Sequence, residues 1–349
     1  MVTIHEVARH AGVSPMTVSR VINGETNVRD ETRGRVLSSV KALRYSPNQA
    51  ARSLASASAI RIGLLYSNPS SGYLSEFLVG SLEQSSINGC QIVIEKCDSP
   101  DSERAAIKRL EATGADGVIL PPPLCDSKEA LAAVAEAGFP AVVVATGRPA
   151  PGLSAVNIDD FEAALSMTRL LISLGHTTIG FIKGHPNQTA SAKRYEGFVA
   201  GMKEAGLKVS PQQVAQGYFT YRSGLEAAEQ LLGASKKPSA IFASNDDMAA
   251  ATMAIAHRRN LDVPRDLAVA GFDDTPLATA VWPPLTTVRQ PISEMAREAL
   301  QLLFEQIRAK RSDAVQKIVQ KQLDFTIVNR ESTGKAEPKP RKRAVSARA

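Results

Sequence analysis

The sequence predicts an α/β protein in which an N-terminal helix-turn-helix headpiece precedes a larger core. Residues 1–50 contain three short stretches with helical spacing, and a tight turn at Gly12 separates the first two. From Ile60 onward, short apolar runs alternate with helical stretches, which is typical of parallel sheets covered by helices on both faces. The two patterns differ enough to predict separate domains.

Length and composition indicate a soluble protein with two or three domains. The chain has 349 residues, 44% hydrophobic and 5% aromatic. It lacks both a signal-peptide pattern and the ~18 consecutive apolar residues of a membrane helix, so we predict a cytoplasmic protein. Cys90, Cys97 and Cys125 lack CxxC spacing and indicate free thiols in a reducing compartment.

Positive charge is concentrated at the two ends of the chain. Residues 1–58 carry eight basic and four acidic side chains, and residues 335–349 carry six and one. The net charge of +6 therefore divides into +4, +5 and, for the rest of the chain, −3. Basic terminal segments on a mildly acidic central region indicate that one of the termini binds a polyanion. The alternative is that the excess positive charge is simply exposed to solvent.

Local signals define the three headpiece helices. Thr3 and Glu6 have the spacing of a capping box, and Gly12 supplies a left-handed end for the first helix. Ser14 followed by Pro15 starts the second helix. A third helix is predicted from about residue 30 to residue 43.

The second helix, within VSPMTVSRVIN, buries an apolar stripe and leaves polar side chains outside. Val18, Val21 and Ile22 form the stripe. The N-terminal part of such a helix enters the DNA major groove. We therefore predict that Arg20 reads guanine and that Met16 contacts thymine methyl groups, whereas a surface helix with incidental polar residues is the alternative. The predicted DNA contacts of the headpiece are Thr3, Ser14, Pro15, Met16, Thr17, Ser19, Arg20 and Asn23.

Residues 47–59 connect the headpiece to the core. Small residues and serines dominate QAARSLASASA, and this composition alone favours a flexible linker. Asn48 can cap a short helix there, and Leu54 is the only large apolar residue within it.

Seven apolar runs predict the strands of the core. They are IRIGLLY, CQIVIEK, GVILPPP, PAVVVAT, TTIGFIKG, PSAIFAS and LAVAGFDD. Ligands of such folds bind outside the carboxyl ends of the strands, so the loops that matter follow Tyr66, Thr146, Gly184, Ser244 and Phe272. Residues 331–349 have no apolar periodicity and are predicted to form a disordered basic tail.

From about Thr3 to Arg330 the chain resembles the LacI/GalR family of bacterial transcription regulators. The motifs that carry the resemblance are TIHEVARHAGVSPMTVSRVIN, YSPNQAARSLA, LGHTTIGFIKG, KRYEGFVAGM, IFASNDDMAAATMAIA, LAVAGFDDTPLA and PPLTTVRQP. The resemblance implies a helix-turn-helix domain over 1–46, a hinge helix over 47–59, and a core of two subdomains over 60–330. That core would resemble a type I periplasmic binding protein.

For the hinge, the resemblance replaces the linker interpretation with a helix that folds when a dimer sits on operator DNA. The leucine that matches Leu54 wedges into the minor groove, where an apolar side chain unstacks a base step and bends the duplex. Ala51 and Ala55 are small enough for two hinge helices to approach closely. Asn48, Ala51, Leu54 and Ala55 complete the predicted DNA-binding residues.

In the core, the resemblance assigns effector contacts to Arg194, Asn245, Asp273 and the aromatic Phe219. A guanidinium, an amide and a carboxylate around an aromatic face suit the hydroxyls of a sugar. Taken singly, each could instead be a cap, a turn residue or a surface ion pair. The loop YSNPSSGYLSEFLVG after the apolar run IRIGLLY is longer in small polar residues than the family pattern, so which of Tyr66, Ser67, Asn68 and Tyr73 contacts the effector stays open. A nucleoside-like or phosphorylated effector is the alternative.

Besides this loop, the entry to the third helix and the tail depart from the family pattern. Val28-Arg29-Asp30 stands where the family often has Ser or Asn before the third helix, so we expect Asp30 to take over the cap. The tail lacks the leucine heptads that make some members tetramers, since no leucine follows Leu323. We therefore expect a homodimer on a near-palindromic operator.

Two rival functions fit the core less well. A solute-binding protein would lack the helix-turn-helix and carry a signal peptide. An enzyme would need a catalytic motif, and GxSxG, GxxxxGK[ST], GxGxxG and HExxH are absent from the sequence. The five histidines, at positions 5, 10, 176, 185 and 257, lack metal-ligand spacing. We predict no catalytic residue, cofactor, metal or membrane partner.

Overall fold

The computed structural model describes residues 2–22, 28–43, 45, 60–97 and 99–336. They fall into two compact units, the headpiece before residue 60 and the core from Ile60 onward. The hinge segment lies outside the described residues, and so do the predicted contacts Asn23, Asn48, Ala51, Leu54 and Ala55.

Three helices form the headpiece: α1 (Ile4–Ala11), α2 (Pro15–Ile22) and α3 (Asp30–Ala42). The predicted capping box is confirmed, because the Glu6 amide donates to Thr3 Oγ1 at 3.3 Å and the Thr3 amide donates to Glu6 Oε2 at 2.7 Å. Gly12 ends α1 with a φ of 66°. Ser14 Oγ accepts from the Thr17 amide at 3.2 Å, which satisfies an open donor at the start of α2.

The expected cap at Asp30 is wrong. Asp30 is the first helical residue of α3, and Arg29 before it makes no side-chain cap bond. Asp30 and Glu31 instead place negative charge in the first turn, where the helix dipole favours it. A buried cluster joins the three helices: Val7, Ala8, Ala11, Val18, Val21 and Val36.

The core contains nine helices and twelve strands within its described residues. The helices are α4 (Ser71–Asn88), α5 (Pro100–Ala112), α6 (Lys128–Glu136), α7 (Asp160–Ser173), α8 (Thr189–Glu204), α9 (Tyr221–Gly233), α10 (Asp246–Arg258), α11 (Leu277–Ala280) and α12 (Ile292–Arg311). The strands are β1 (Arg61–Tyr66), β2 (Gln91–Lys96), β3 (Gly117–Leu120), β4 (Ala141–Val144), β5 (Ser154–Asn157), β6 (Ile179–Lys183), β7 (Val214–Gln216), β8 (Ala240–Ala243), β9 (Ala268–Asp273), β10 (Thr286–Arg289), β11 (Gln320–Gln322) and β12 (Thr326–Val328).

The strands form two six-stranded sheets, one in each subdomain. The first has the order β2-β1-β3-β4-β5-β11 and is parallel throughout. The second has the order β7-β6-β8-β9-β10-β12, and only β12 runs antiparallel. All seven predicted strands are confirmed. The other five have three or four residues each, too few for a clear apolar run.

Both faces of each sheet are buried, which explains the unbroken apolar runs. Along β4, Val142 and Val144 join one apolar cluster, whereas Val143 between them joins another. Alternate side chains of a strand point to opposite faces, so helices on both sides require apolar residues at every position. Among the described helices, none combines the length and apolar character needed to cross a membrane.

The chain passes between the two subdomains three times. It crosses after β5, returns between β10 and α12, and crosses again between β11 and β12. The carboxyl ends of both sheets face a common cleft, since Ala145 follows β4 and Asp273 ends β9, and both line one cavity. Three short connections leave the subdomains free to change their relative angle.

The tail boundary predicted at residue 331 is too early. Ser332 is buried, donates to the Val269 carbonyl at 2.6 Å, and accepts from the Thr286 amide at 2.7 Å. The Ala336 amide donates to the Leu174 carbonyl at 2.8 Å. Residues 331–336 therefore belong to the core, and residues 337–349 lie outside the described residues.

Candidate functional site

The outward face of α2 presents the side chains that the sequence predicts for DNA contact. Met16 is 63% exposed, although apolar side chains of this size are usually buried. Ser14 and Arg20 are exposed as well, whereas Pro15, Thr17 and Ser19 are half-buried. Their arrangement follows from Val18 and Val21, which fix the opposite side of α2 in the headpiece core.

Thr3 and Ser14 hold the starts of α1 and α2. The Thr3 hydroxyl donates to Glu6 at 3.0 Å, and the Ser14 hydroxyl is bonded to Thr17 Oγ1 at 2.9 Å. These bonds set where each helix begins. The backbone amides of a helix start point outward and suit a phosphate group.

In the core, a cavity lies between the carboxyl ends of the two sheets. The residues that line it are Asn68, Pro69, Ser70, Tyr73, Pro122, Ala145, Gln188, Ala190, Arg194, Phe219, Asp273 and Gln290. Its volume is about 30 Å³, room for about two water molecules. A wider groove of about 460 Å³ shares Asp273 and Gln290 with this cavity, and a separate groove of about 700 Å³ is lined by Asp160 among other residues.

Arg194, from α8, is the central charge of this cleft. Its Nε donates to Asp160 Oδ1 at 2.8 Å, and its Nη1 donates to the Ser244 carbonyl at 2.7 Å. Asp273 Oδ1 lies 3.7 Å from Nη1, and the guanidinium carbon is 3.6 Å from the centre of the Phe272 ring. Only 4% of Arg194 is exposed, so the surrounding protein replaces most of its hydration.

Burial changes the titration of the carboxyl groups around Arg194. It raises the pKa of Asp273 well above its usual value, and it also raises the pKa of Asp160; the positive charge of Arg194 opposes both shifts. Asp246, beneath the cleft, has a pKa raised to about 7, again because of burial. Thr287 and Thr275 donate hydrogen bonds to it and oppose this shift.

Two buried polar atoms at the cavity lack a hydrogen-bond partner among the described residues. They are Tyr73 Oη and Gln290 Oε1. Gln290 Nε2 already donates to Asp273 Oδ1 at 2.7 Å, which fixes the amide beside the carboxyl group. Leaving a buried polar atom unpaired costs about 1–3 kcal/mol, so both atoms indicate room for a ligand that bonds to them.

Phe219 lies at the edge of the cavity with an unusual backbone. Its φ is 60°, which a bulky residue rarely adopts. Asn245 Nδ2 donates to the Phe219 carbonyl at 3.0 Å and so supports this conformation. Gly184 leaves room for the ring, because a Cβ at that position would lie 2.0 Å from Phe219 Cζ.

Five of the seven predicted effector residues meet at the cavity: Asn68, Tyr73, Arg194, Phe219 and Asp273. The other two, Tyr66 and Asn245, do not line it. Asn245 is buried and caps α10, where its Oδ1 accepts from the Met248 amide at 3.0 Å. Two further residues, Asp160 and Gln290, belong to the site but were not predicted from the sequence. A carboxylate at the start of α7 is a common helix signal, which concealed the ion pair of Asp160 with Arg194.

Hydrogen bonds between the subdomains hold the cleft closed. Ser70 Oγ donates to Asp247 Oδ2 at 2.6 Å. On the other side, the Thr189 amide donates to Asp126 Oδ2 at 2.7 Å. Within the first subdomain, Thr146 Oγ1 donates to Asp126 Oδ1 at 2.7 Å and so orients this carboxylate. We call the Ser70–Asp247 and Asp126–Thr189 contacts the cleft latches.

No group of three or more His, Cys, Asp or Glu residues with metal-binding geometry occurs in the part of the chain that the structure describes. Cys90, Cys97 and Cys125 are free thiols. The cleft therefore offers hydrogen-bonding groups and one ion cluster to a ligand.

Family models match both parts of the chain. Residues 3–48 match the model for bacterial regulatory proteins of the lacI family, and residues 168–333 match a periplasmic binding protein-like domain. Catabolite control protein A of Priestia megaterium is 34% identical over 90% of this chain and 95% of its own length. The transcriptional repressor PurR of Haemophilus influenzae is 34% identical over 89% and 92%.

Solved structures agree with the relatives. A complex of the transcriptional regulator CelR with cellobiose matches 95% of this chain and all of its own, with a TM-score of 0.72 and 30% identity. The lac repressor dimer bound to operator and the anti-inducer ONPF matches 95% and 99%, with a TM-score of 0.72 and 25% identity. The chain belongs to the lacI family of bacterial regulatory proteins, as a DNA-binding transcriptional regulator with a two-subdomain core like that of periplasmic binding proteins.

Proposed function

We propose that this regulator is a cytoplasmic repressor without enzymatic activity whose affinity for a near-palindromic operator is controlled by a neutral, sugar-like effector in the core cleft. The observation that carries the effector assignment is the pair of unpaired buried atoms, Tyr73 Oη and Gln290 Oε1, beside the Arg194–Asp273 ion pair. A sugar hydroxyl both donates and accepts, so it can bond to a phenol and to an amide oxygen at once.

The charge of the cleft favours a neutral effector over a phosphorylated one. Arg194 is the only basic residue that lines the described cavity, and its guanidinium already faces Asp160 and Asp273. A phosphate dianion would add negative charge beside two buried carboxyl groups without an unengaged cation to balance it. A nucleoside-like effector carries no such penalty and stays the second candidate, because Phe219 offers an aromatic ring.

Opening of the closed cleft can couple effector binding to operator binding. A volume of about 30 Å³ is too small for a sugar, so binding requires the subdomains or the lining side chains to move. Opening breaks the cleft latches and changes the angle between the subdomains at the three chain connections. An effector shifts this equilibrium by its differential affinity for the two states, and the operator must shift effector affinity by the same factor.

A homodimer fits this scheme, since a near-palindrome offers two equivalent half-sites. On α4, Val79, Leu82 and Ile87 are apolar residues that are at least half exposed. Such a face is typical of a surface that another chain covers. In each half-site we propose that Arg20 and Met16 read bases and that Leu54 wedges into the minor groove near the centre.

The effector assignment is tested by titrating the operator complex with neutral sugars, sugar phosphates and nucleosides. We expect a neutral sugar to change operator affinity in the wild type and to have no effect on Asp273→Ala. Asp262→Ala, an exposed carboxylate of the same subdomain, is the matched control and should respond like the wild type. A response of Asp273→Ala at the same sugar concentration and to the same extent would remove Asp273 from the effector site.

The DNA assignment is tested on operator variants at fixed salt, because phosphate contacts make affinity strongly salt-dependent. Arg20→Ala should cost about 1–3 kcal/mol on the operator and relax discrimination at one base pair. Leu54→Ala should reduce DNA bending while effector binding persists. An equal loss of Arg20→Ala on operator and random DNA would show that Arg20 contacts only phosphate.

A further inference from the structure

The start of α8, the helix that carries Arg194, is completed by the opposite subdomain. Gln188 occupies the N-cap position of α8 but makes no side-chain cap bond. Asp126 of the first subdomain takes that role, because its Oδ2 accepts from the Thr189 amide at 2.7 Å and from Thr189 Oγ1 at 2.9 Å. A carboxylate there also meets the positive end of the helix dipole. The cap of α8 therefore depends on contact between the two subdomains.

On its other side, Asp126 is bonded to the connections between the subdomains. Thr146 Oγ1 donates to Asp126 Oδ1 at 2.7 Å, and the Thr146 amide donates to Asn157 Oδ1 at 2.9 Å. Asn157 ends β5, just before the chain crosses for the first time. Its carbonyl accepts from the Leu323 amide at 2.8 Å, just before the chain crosses for the last time. One continuous set of hydrogen bonds thus joins the start of α8 to two of the three connections.

The two subdomains approach each other closely beside this cap. Gly147, in the first subdomain, has a φ outside the left-handed region, so its backbone does not require a glycine. A Cβ there would nevertheless lie 2.7 Å from the Thr189 carbonyl oxygen and 2.8 Å from the Ala190 amide nitrogen. Both are backbone atoms of α8, and they can give way only if the helix moves. A larger residue at position 147 should therefore open the cleft without altering Asp126.

The Ser70–Asp247 latch differs from the Asp126 contact. The helices that it joins have caps of their own, since Ser70 Oγ accepts from the Tyr73 amide at 3.4 Å at the start of α4 and Asn245 caps α10. Breaking this latch leaves both helix starts capped, whereas breaking the Asp126 contact leaves α8 without a cap. The two latches therefore contribute unequally to closure of the cleft.

We propose that Asp126 is a positioning residue that caps α8 across the cleft, orients Arg194 and stabilises the closed arrangement of the subdomains. Arg194 lies less than two turns beyond Thr189 in α8, so a shift of the helix start also moves its guanidinium. Asp126 itself is not among the residues that line the effector cavity. The inference rests on the proposed coupling between cleft angle and operator affinity, and it adds the contact that sets this angle.

Closure is measured in the full-length protein as the distance between two spin labels. The labels are attached to Glu129→Cys in the first subdomain and Lys236→Cys in the second, both at exposed positions. Cys90→Ala removes the half-buried thiol, whereas the other two native thiols are buried. An excess of unlabelled protein ensures that each dimer carries at most one labelled chain.

Asp126→Ala should lengthen or broaden this distance, and Asp126→Asn, which keeps an acceptor but loses the charge, should have a smaller effect. Gly147→Ala should change the distance in the same direction and shows that the labels report opening. The matched control is Glu136→Ala, which removes an exposed ion pair with Arg104 from the same subdomain. It should keep the wild-type distance.

Hydrogen exchange separates a cap across the cleft from a general effect on helix stability. Asp126→Ala should speed exchange in the first turn of α8 by about tenfold to a hundredfold, because a charge-assisted hydrogen bond is lost. Adding Gln188→Asp to this variant gives α8 a cap from its own subdomain. The double variant should regain slow exchange in α8 but keep the long distance between the labels.

A wild-type distance in Asp126→Ala overturns the proposal. Restoration of the distance in the double variant overturns it as well, because Asp126 would then act on the stability of α8 alone. Operator affinity of the same variants, measured without effector, tests the coupling separately. Unchanged operator affinity at a longer distance would support the cap across the cleft and contradict the proposed coupling between cleft and operator.

Discussion

The headpiece and the core differ in how they hold the charges and polar groups of their sites. On α2, Met16 and Arg20 are exposed, and the start of this helix is held by local hydrogen bonds. In the cleft, Arg194, Asp160 and Asp273 are almost fully buried and depend on one another. An exposed contact residue contributes to ligand binding and little to folding, whereas a buried ion cluster contributes to both. The same kind of substitution should therefore have separable effects in the headpiece and coupled effects in the core.

The largest expected effect is that of Arg194→Ala. Removing the guanidinium leaves Asp160 and Asp273 buried with their charge unbalanced and the Ser244 carbonyl without its donor. Breaking a buried pair in this way costs about 3–5 kcal/mol. Urea denaturation followed by circular dichroism should show this loss in the core transition, and the effector response should vanish with it.

The control is Arg169→Ala, which removes ion pairs with Glu162 and Glu204 from the surface of the same subdomain. Arg169 is half exposed, and exposed ion pairs contribute about 0–1 kcal/mol. A loss for Arg194→Ala as small as that for Arg169→Ala would mean that the cleft charges are solvated and that the contrast between headpiece and core is wrong.

The pH dependence of stability should have opposite signs in the two regions. Asp246 has a folded pKa of about 7, above its unfolded value of 3.8, so the folded core binds more protons than the unfolded core between these values. Its contribution to stability is full below pH 3.8 and is lost as pH rises through about 7, at up to about 1.4 kcal/mol per pH unit. Glu6 in the headpiece has a lowered pKa through its bonds to Thr3, so its contribution is lost as pH falls below 4.5.

Asp246→Asn isolates the core effect. An asparagine there can still accept from the Thr275 amide and can donate to Thr287 Oγ1, so the hydrogen bonds are replaceable. Urea denaturation between pH 4 and 7 should show a shallower decline for the variant than for the wild type. Parallel curves would exclude Asp246 as the titrating group. The Glu6→Gln headpiece should be less sensitive to acid than the wild type.

A smaller effect is expected from Gly184→Ala. The new Cβ would lie 2.0 Å from the Phe219 ring, so the ring must move away from the cavity. Overpacking of this kind costs about 1–3 kcal/mol, and the affinity for a neutral sugar should fall while operator affinity without effector stays unchanged. Gly233→Ala, where no atom lies within 4 Å of the new Cβ, is the control. Equal sugar affinity in both variants would show that Phe219 does not shape the effector site.

The two regions also differ in how far the sequence predicts them. The starts of the first two headpiece helices are predicted by capping residues whose partners lie three positions away, as in Thr3–Glu6 and Ser14–Thr17. The strands β3 and β4 follow from apolar runs, but β11, with the sequence QKQ at a sheet edge, has no such signal. In the cleft, the contact between Arg194 and Asp160 spans 34 residues.

Residue types alone therefore could not identify Asp160 and Gln290 as partners in the cleft. Their roles arise only when α7, α8 and β10 are packed together. The resemblance to the family directed attention to Arg194, Asp273 and Phe219, and the packing shows what each one contacts. Asn245 illustrates the difference, because the resemblance predicted a ligand contact for it, whereas its side chain bonds to the Met248 amide, the Phe219 carbonyl and the Asp247 carboxylate.

The smallest expected effect is that of Thr3→Ala in the headpiece. The variant removes the side-chain acceptor of the Glu6 amide and breaks the capping box, which costs about 1 kcal/mol because the amide can turn to water instead. Hydrogen exchange of the α1 amides should become faster, while the effector response of the core stays unchanged. Thr3→Ser keeps the hydroxyl and should restore slow exchange. If Thr3→Ala lowers the effector response as strongly as Gly184→Ala, the headpiece and the core do not fold and bind as separate units. The effects of substitutions in the exposed headpiece site would then be coupled, as those in the buried core site are.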